Sequence, residues 1–215
     1  MTADENQPGL AEEEKLRADL YAFLSAILAA PPEQDLIEKI SQVRGDDTRL
    51  GKAVQTMSRM ARVATPKSVE REFNALFIGV GRGELLPYGS YYLTGFLNEK
   101  PLARLRNDMS RLGIARTPNV FEPEDNIASL FEIMSALVTG AFGAPASLAL
   151  QKVFFERHIE TWAEHFFVDL EGAKNSVFYA PVGSVGREFM EIEKESFRLA
   201  GEPSKEELAE LPIAN

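Results

Sequence analysis

The sequence predicts an all-α protein, a single-domain bundle of about eight helices. Apolar residues recur at spacings of three and four in at least five segments, the period of helices with one buried face. No window sustains the alternation of a half-buried strand, and no segment repeats at a fixed period, which excludes a solenoid or a propeller. A chain of 215 residues buries about 70% of its unfolded surface, enough for a core without covalent staples.

The helices follow in order. Leu16, Leu20, Tyr21, Leu24, Ile27 and Leu28 mark the first, over residues 12–30, ended by Pro31 and Pro32. "EQDLIEKISQV" forms a second, with Gly45 as its stop, and "RLGKAVQTMSRMARVA" a third. Thr65 and Pro66 supply an N-cap and a first-position proline for "KSVEREFNALFI", where Phe73, Leu76 and Phe77 share a face. "KPLARLRNDMSRLGI" is a fifth, closed by Gly113. In "TPNVFEPEDNIASLFEIMSALVTGAFGAP", Ile127, Leu130, Phe131, Met134, Leu137 and Val138 fall at helical spacing. Pro123 stands near its start with Glu122, Glu124 and Asp125 at the positive end of the helix dipole, and Gly140, Gly143 and Pro145 stop it. One long helix is predicted from Ser147 to about Leu170, with Phe155, Ile159, Trp162, Phe166 and Leu170 on one side. The last spans roughly Gly186 to Leu199, and "SKEEL" has the spacing of a capping box for one further turn.

Composition narrows the function. The chain has no cysteine, so a disulfide framework, a cysteine nucleophile and a zinc knuckle are excluded. Its first twenty residues are acidic where an export or transit leader would be basic, and no apolar run reaches the roughly 18 residues of a membrane span. A cytoplasmic protein without stable membrane insertion is expected. The net charge of −10 concentrates in residues 1–20 and 188–210. An acidic chain with no basic stripe is repelled by nucleic acid, so no nucleic-acid partner is expected and an arginine-bearing one is favoured. The same charge also serves plain solubility.

The stretch "GVGRGELLPYGSYYLTGFL" raises the question of a phosphate loop at Gly79, Gly81, Arg82 and Gly83. A dinucleotide fingerprint needs a strand before its glycines and a helix directly after; here a helical segment precedes and a proline follows, and no Gly-Lys-Ser/Thr exists. His158 and His165 lie seven residues apart, about 10 Å along a helix, too far to share a metal. With no nucleophile elbow either, no catalytic residue, metal or cofactor is expected. What remains is a cluster of Phe73, Leu76, Phe77, Pro87, Tyr88, Tyr91 and Tyr92 near the acidic turn Glu122, Glu124 and Asp125. The residues alone leave two readings open: core aromatics with helix-end acids, or a binding surface.

At these residues the chain resembles the TorD/DmsD/NarJ family of chaperones for molybdenum-dependent oxidoreductases, nearest its TorD-like branch. The resemblance rests on "EREFNALFIG", "PYGSYY", "EPEDN", "HIETWAEHF" and "FYAPVGSVGREFMEIE", in the family's order, and covers residues 12–199. It implies an all-helical cytoplasmic protein, monomeric or a domain-swapped dimer with hinges at Gly79 and Gly140. Its implied partners are the twin-arginine leader and the apo form of a molybdenum oxidoreductase, held back from export until the cofactor is inserted. Carried over by motif, the leader-binding residues are Phe73, Leu76, Phe77, Pro87, Tyr88, Ser90, Tyr91, Glu122, Pro123, Asp125 and Asn126. Asparagine at 126 replaces the family's usual histidine, which removes a titrating side chain but keeps a hydrogen-bonding amide. The implied organisation is a flexible acidic N-terminus over 1–11, the chaperone domain over 12–200 and an acidic tail over 201–215. Guanine-nucleotide binding by relatives makes a nucleotide-responsive switch or hydrolase at Gly79–Gly83 the alternative, and a plain helical adaptor a third reading.

Overall fold

Helix α1 (Glu12–Ala29) stops where Pro31 and Pro32 forbid continuation. In the computed structural model, which describes residues 10–115 and 122–213, ten more α-helices follow. They are α2 (Gln34–Gln42), α3 (Arg49–Ala61), α4 (Pro66–Phe73), α5 (Gly89–Thr94), α6 (Lys100–Arg111), α7 (Ile127–Thr139), α8 (Leu148–His158), α9 (Ala163–Gly172), α10 (Tyr179–Ala200) and α11 (Lys205–Glu210). The all-α class holds, and the one β-type pairing among the described residues is an isolated bridge between Tyr88 and Asn126. The beginning of the sixth predicted segment, residues 117–121, lies outside the described residues.

Local chemistry sets the boundaries. Thr65 caps α4 by accepting from the Ser68 amide at 3.2 Å, with Pro66 at the first helical position. Gly113 and Gly140 end α6 and α7 in left-handed conformations, φ 69° and 79°. The capping box of α11 is present, Ser204 accepting from the Glu207 amide at 3.1 Å and Glu207 from the Ser204 amide at 2.8 Å.

Three differences raise the count from about eight to eleven. The long helix expected over 147–170 is two, because the chain turns at Ile159–Trp162 and the His158 carbonyl accepts from the Trp162 indole at 2.8 Å. Phe155, Ile159, Trp162, Phe166 and Leu170 are all buried regardless. The last long helix starts at Tyr179 rather than Gly186, and the short α5 and α11 add two.

The core is one aromatic-rich cluster drawn from every long helix. Helix α1 packs along α7, and α10 lies between α9 and α3. Tyr21, Phe131, Phe154, Phe155, Trp162, Phe166, Phe167 and Tyr179 are fully buried, and the two tyrosine hydroxyls donate to Glu193 at 2.7 Å and to the Ile27 carbonyl at 3.1 Å. Leu16, on the expected inner face of α1, is instead exposed in its first turn. Arg17 donates to Glu193 at 2.7 Å and to Gln151 at 2.8 Å, joining α1 to α10 and α8. Beyond α10, buried Lys152 donates to the Gly201 carbonyl at 2.9 Å and Ile213 is buried in the core. No helix among the described residues is long and apolar enough to cross a membrane.

Candidate functional site

Helix α4 passes at Phe73 directly into a π-helical turn, Asn74–Ile78, closed by the Gly79 amide donating to the Asn74 carbonyl at 2.7 Å, a local widening frequent at functional sites. The turn faces Leu76 wholly inward and leaves Ile78 exposed. Phe73 is buried against Phe77, ring centroids 5.0 Å apart, and Tyr179 packs on both rings. Leu76 and Phe73 are therefore core residues; in this conformation they brace the site from behind.

Next comes the glycine loop. Gly79 has φ 61°, and a side chain there would strike the Arg82 carbonyl. Gly83 is packed against the Phe77 backbone, and the chain returns with the Leu85 amide donating to the Leu76 carbonyl at 2.8 Å. Arg82 turns away from the loop backbone onto Tyr91, donating to its hydroxyl at 2.7 Å with the guanidinium carbon 5.2 Å from the ring centre. The first loop amide is thus consumed by the π turn and the arginine is engaged by a tyrosine.

The two central motifs, separated by more than thirty residues, meet edge to edge. The Gly89 amide donates to the Asp125 carbonyl and the Ile127 amide to the Pro87 carbonyl, each at 2.9 Å, forming the Tyr88–Asn126 bridge. Asp125 is buried, and its Oδ2 accepts from the Ser90 amide at 2.6 Å. This carboxylate therefore caps α5, a helix distant in sequence, and not the helix that follows it. Asn126 caps α7 instead, its Oδ1 accepting from the Ala128 amide at 2.9 Å, while its Nδ2 donates to Glu122 at 3.3 Å. That employment suits asparagine, among the best N-cap residues. Exposed Glu122 also accepts from the Tyr88 hydroxyl, and both burial and this carboxylate push the Tyr88 phenol pKa up. Glu124 is paired with Arg106 at 2.8 Å. Pro123 forms the bend, its carbonyl accepting from the Asn126 amide at 3.1 Å.

Two polar atoms at this junction stand out. Asp125 Oδ1 and Ser90 Oγ are buried with no hydrogen-bond partner among the described residues, in residues 3% and 0% exposed. Buried polar atoms are nearly always satisfied, so a pair of exceptions on adjoining motifs marks the spot. Asp125 shares a small cavity with Gly89, Leu93, Arg157, His158 and Trp162. Leu93, which lines it, is exposed, as are Phe96, 70% exposed, and Leu97 in the turn after α5, and Ile78 and Val80 beside the first glycine of the loop. Among the described residues no cluster of ligating side chains could hold a metal.

Several residues that build the site lie within the quoted motifs but are not among the leader-binding residues carried over from them. Trp162 packs under Gly89, where an added Cβ would lie 3.0 Å from its indole nitrogen, which accounts for glycine between Tyr88 and Ser90. Tyr92 packs on Trp162 at 5.4 Å and donates to Asp169 at 2.9 Å. Glu72 accepts from the Val177, Phe178 and Tyr179 amides at 2.7, 3.0 and 2.7 Å, capping α10 across the molecule. The glutamate three residues before Ala75 gave no sign of this, since its partners lie more than 100 residues on.

Comparison with known proteins agrees with this architecture. The family model described as nitrate reductase delta subunit matches residues 44–168. The chain is 26% identical over 207 residues to the chaperone protein TorD of Vibrio atlanticus, covering 86% of this chain and 95% of that one. It is 31% identical over 170 residues to TorD of Vibrio cholerae, covering 70% and 77%. Its fold resembles the crystal structure of a candidate redox enzyme maturation protein from Archaeoglobus fulgidus, with a TM-score of 0.51 and 19% identity over 88% of this chain and 99% of the other. On the extent of these matches, the chain belongs to the TorD/DmsD/NarJ family, in its TorD-like branch.

Proposed function

We propose that the protein is a maturation chaperone that binds the twin-arginine leader of a molybdenum-dependent oxidoreductase at the junction of residues 87–91 and 122–126. The observation that carries this reading is the buried, half-employed carboxylate of Asp125, which shares a cavity with exposed Leu93 and stands three residues along the chain from exposed Glu122. A twin-arginine leader offers the complement: guanidinium forks followed by an apolar stretch able to form a helix. Family membership and the names of the TorD relatives support the assignment.

Magnitudes divide the labour. Burying about 400 Å² of apolar peptide at roughly 25 cal/mol per Å² gives a gross gain near 10 kcal/mol, much of it offset by ordering the peptide. An exposed arginine–carboxylate pair adds only about 0.2–1 kcal/mol. Apolar contact supplies affinity, and carboxylates select arginine. Pro87, Tyr88, Ser90 and Tyr91 frame the seat, Glu122, Pro123, Asp125 and Asn126 form its acidic wall, and Phe73, Leu76 and Phe77 support it.

The test is calorimetric titration with a twin-arginine leader peptide. Tyr88→Ala and Phe96→Ala each weaken binding by about 1–3 kcal/mol with little change in melting temperature, because both side chains are partly exposed. Unaltered binding in both variants would move the leader to another surface.

A further inference from the structure

We infer that the ring of Tyr91 is a seat for an arginine guanidinium, that the chain's own Arg82 occupies it as an internal stand-in, and that a leader arginine must displace Arg82 to bind. The inference rests on the leader-binding reading above and adds a specific site and its regulation. Its starting point is what holds the glycine loop. At its near end the loop is fixed by the Gly79 amide on the Asn74 carbonyl, and at its far end by the Glu84 amide on the Ala75 carbonyl at 3.2 Å. Glu84 is itself fastened to the amides of Lys174 and Asn175 at 2.6 and 3.1 Å. Between these anchors the tip leaves the body: Val80 is completely exposed, and nothing lies within 4 Å of where a Gly81 side chain would stand.

One side chain of the tip returns. Arg82 lies over the Tyr91 ring and donates to its hydroxyl, so a single guanidinium makes a cation–π contact and a hydrogen bond to the same residue. Tyr91 is held for this by its edge-to-face contact with Tyr92, whose ring packs on Trp162. Tyr91 follows Ser90 directly, and the Ser90 amide is held by Asp125. A guanidinium placed on Tyr91 is therefore one residue along the chain from the amide that ties α5 to the acidic turn. The seat is demonstrated by the group already on it: planar, delocalised and able to stack and donate together, which an ammonium does less well.

The contact is suited to release. Arg82 is exposed and makes no ion pair among the described residues, so the loop is held by an interaction of surface strength. Gly79 and Gly81, both at positive φ, give the tip backbone freedom on either side of Val80. An exposed guanidinium–ring contact of ordinary strength keeps the seat filled about two to five times as often as empty. Leader affinity is then reduced about three- to six-fold, the factor by which the empty form is diluted. Displaced, the loop carries Val80, which is already exposed, alongside the apolar part of the leader.

The experiment compares wild type, Arg82→Ala and Lys174→Ala in titrations with a twin-arginine leader and with the same leader carrying two lysines. Lys174→Ala removes the same charge from an exposed position near the loop's far anchor without touching Tyr91. Arg82→Ala is expected to bind the arginine leader about three- to six-fold more tightly, to gain less with the lysine leader, and to melt like wild type. Equal tightening in Lys174→Ala would mean that only the field of the charge had changed, and the stand-in would be refuted. Weaker binding in Arg82→Ala would make Arg82 a direct contact of the leader and likewise refute it. Leader bound equally by wild type and Arg82→Ala removes the stand-in alone, whereas no binding by either removes the leader-binding reading and the inference with it.

Discussion

Single residues of this protein often act on helices far away in the chain. Glu72 is the clearest case: α10 has no side-chain cap of its own, and the three amides at its start converge on one carboxylate from α4. Those amides carry the positive end of a 22-residue helix, so an anion there is favoured and its loss leaves donors unpaired. Glu72→Ala is expected to lower stability by about 1–3 kcal/mol, read as a drop in melting temperature, while exposed Glu70→Ala changes it by less than about 0.5 kcal/mol. His158 offers a pH handle. Its Nε2 lies 2.8 Å from Asp108 Oδ2, yet burial outweighs that carboxylate, with Arg157 and Arg104 adding to the effect, and holds the imidazole pKa below its ordinary 6.5. The unfolded chain then takes up the proton more readily than the folded one. Stability is full above pH 6.5 and is lost as pH falls from there through the lower folded value. Melting temperature should decline between pH 7.5 and 5.5, and His158→Gln should flatten that slope; an unchanged slope would place the proton elsewhere.

At the scale of elements, the sequence was legible wherever a local signal decided. Thr65-Pro66, Gly113, Gly140 and the Ser204–Glu207 box all sit where their chemistry places them. The face of Ile127, Leu130, Phe131, Met134, Leu137 and Val138 is buried throughout. Misreadings occurred where a distant partner decided. The last helix is predicted from about Gly186, yet it begins at Tyr179 and runs through Pro181 and Gly183, because Glu72 caps its start and α9 needs the missing side chains of Gly183 and Gly186. A Cβ on Gly186 would stand 2.2 Å from the Phe167 ring, and one on Gly183 would stand 2.9 Å from the Phe167 carbonyl. The motif "FYAPVGSVGREF" is thus a close-approach surface for α9. Alanine normally gains about 0.5–1 kcal/mol over glycine in a helix; here Gly186→Ala is expected to cost about 1–3 kcal/mol through overpacking, with Ser184→Ala near neutral. Thermal melts of the two variants check the sign. The break between α8 and α9 is the exception: the 3.6-residue period runs through it, and the bond that marks the turn, the Trp162 indole on the His158 carbonyl, is local.

Taken as a whole molecule, the bundle spends part of its acidity inside. Glu193 is fully buried with Arg17 and Tyr21, and Glu188 is held by Arg49 and Arg187, so the acidic stretch over 188–210 is partly scaffold and not only a solvated face. The candidate site was legible only as far as its motifs: their pairing as one site was implied by the family resemblance, whereas the buried state of Leu76 and the capping of α5 by Asp125 needed the fold. The central claim is that Asp125 selects arginine. Asp125→Asn keeps an oxygen to accept from the Ser90 amide while removing the charge. The decisive measurement titrates wild type and Asp125→Asn with a twin-arginine leader and its twin-lysine counterpart, with a melting curve for each protein. The variant is expected to lose affinity for the arginine leader by about 1–3 kcal/mol and to lose less for the lysine leader, a gap that salt changes little because the carboxylate is buried. Equal loss for both leaders, or none for either, with unchanged melting, would leave Asp125 as the cap of α5 alone and contradict the account.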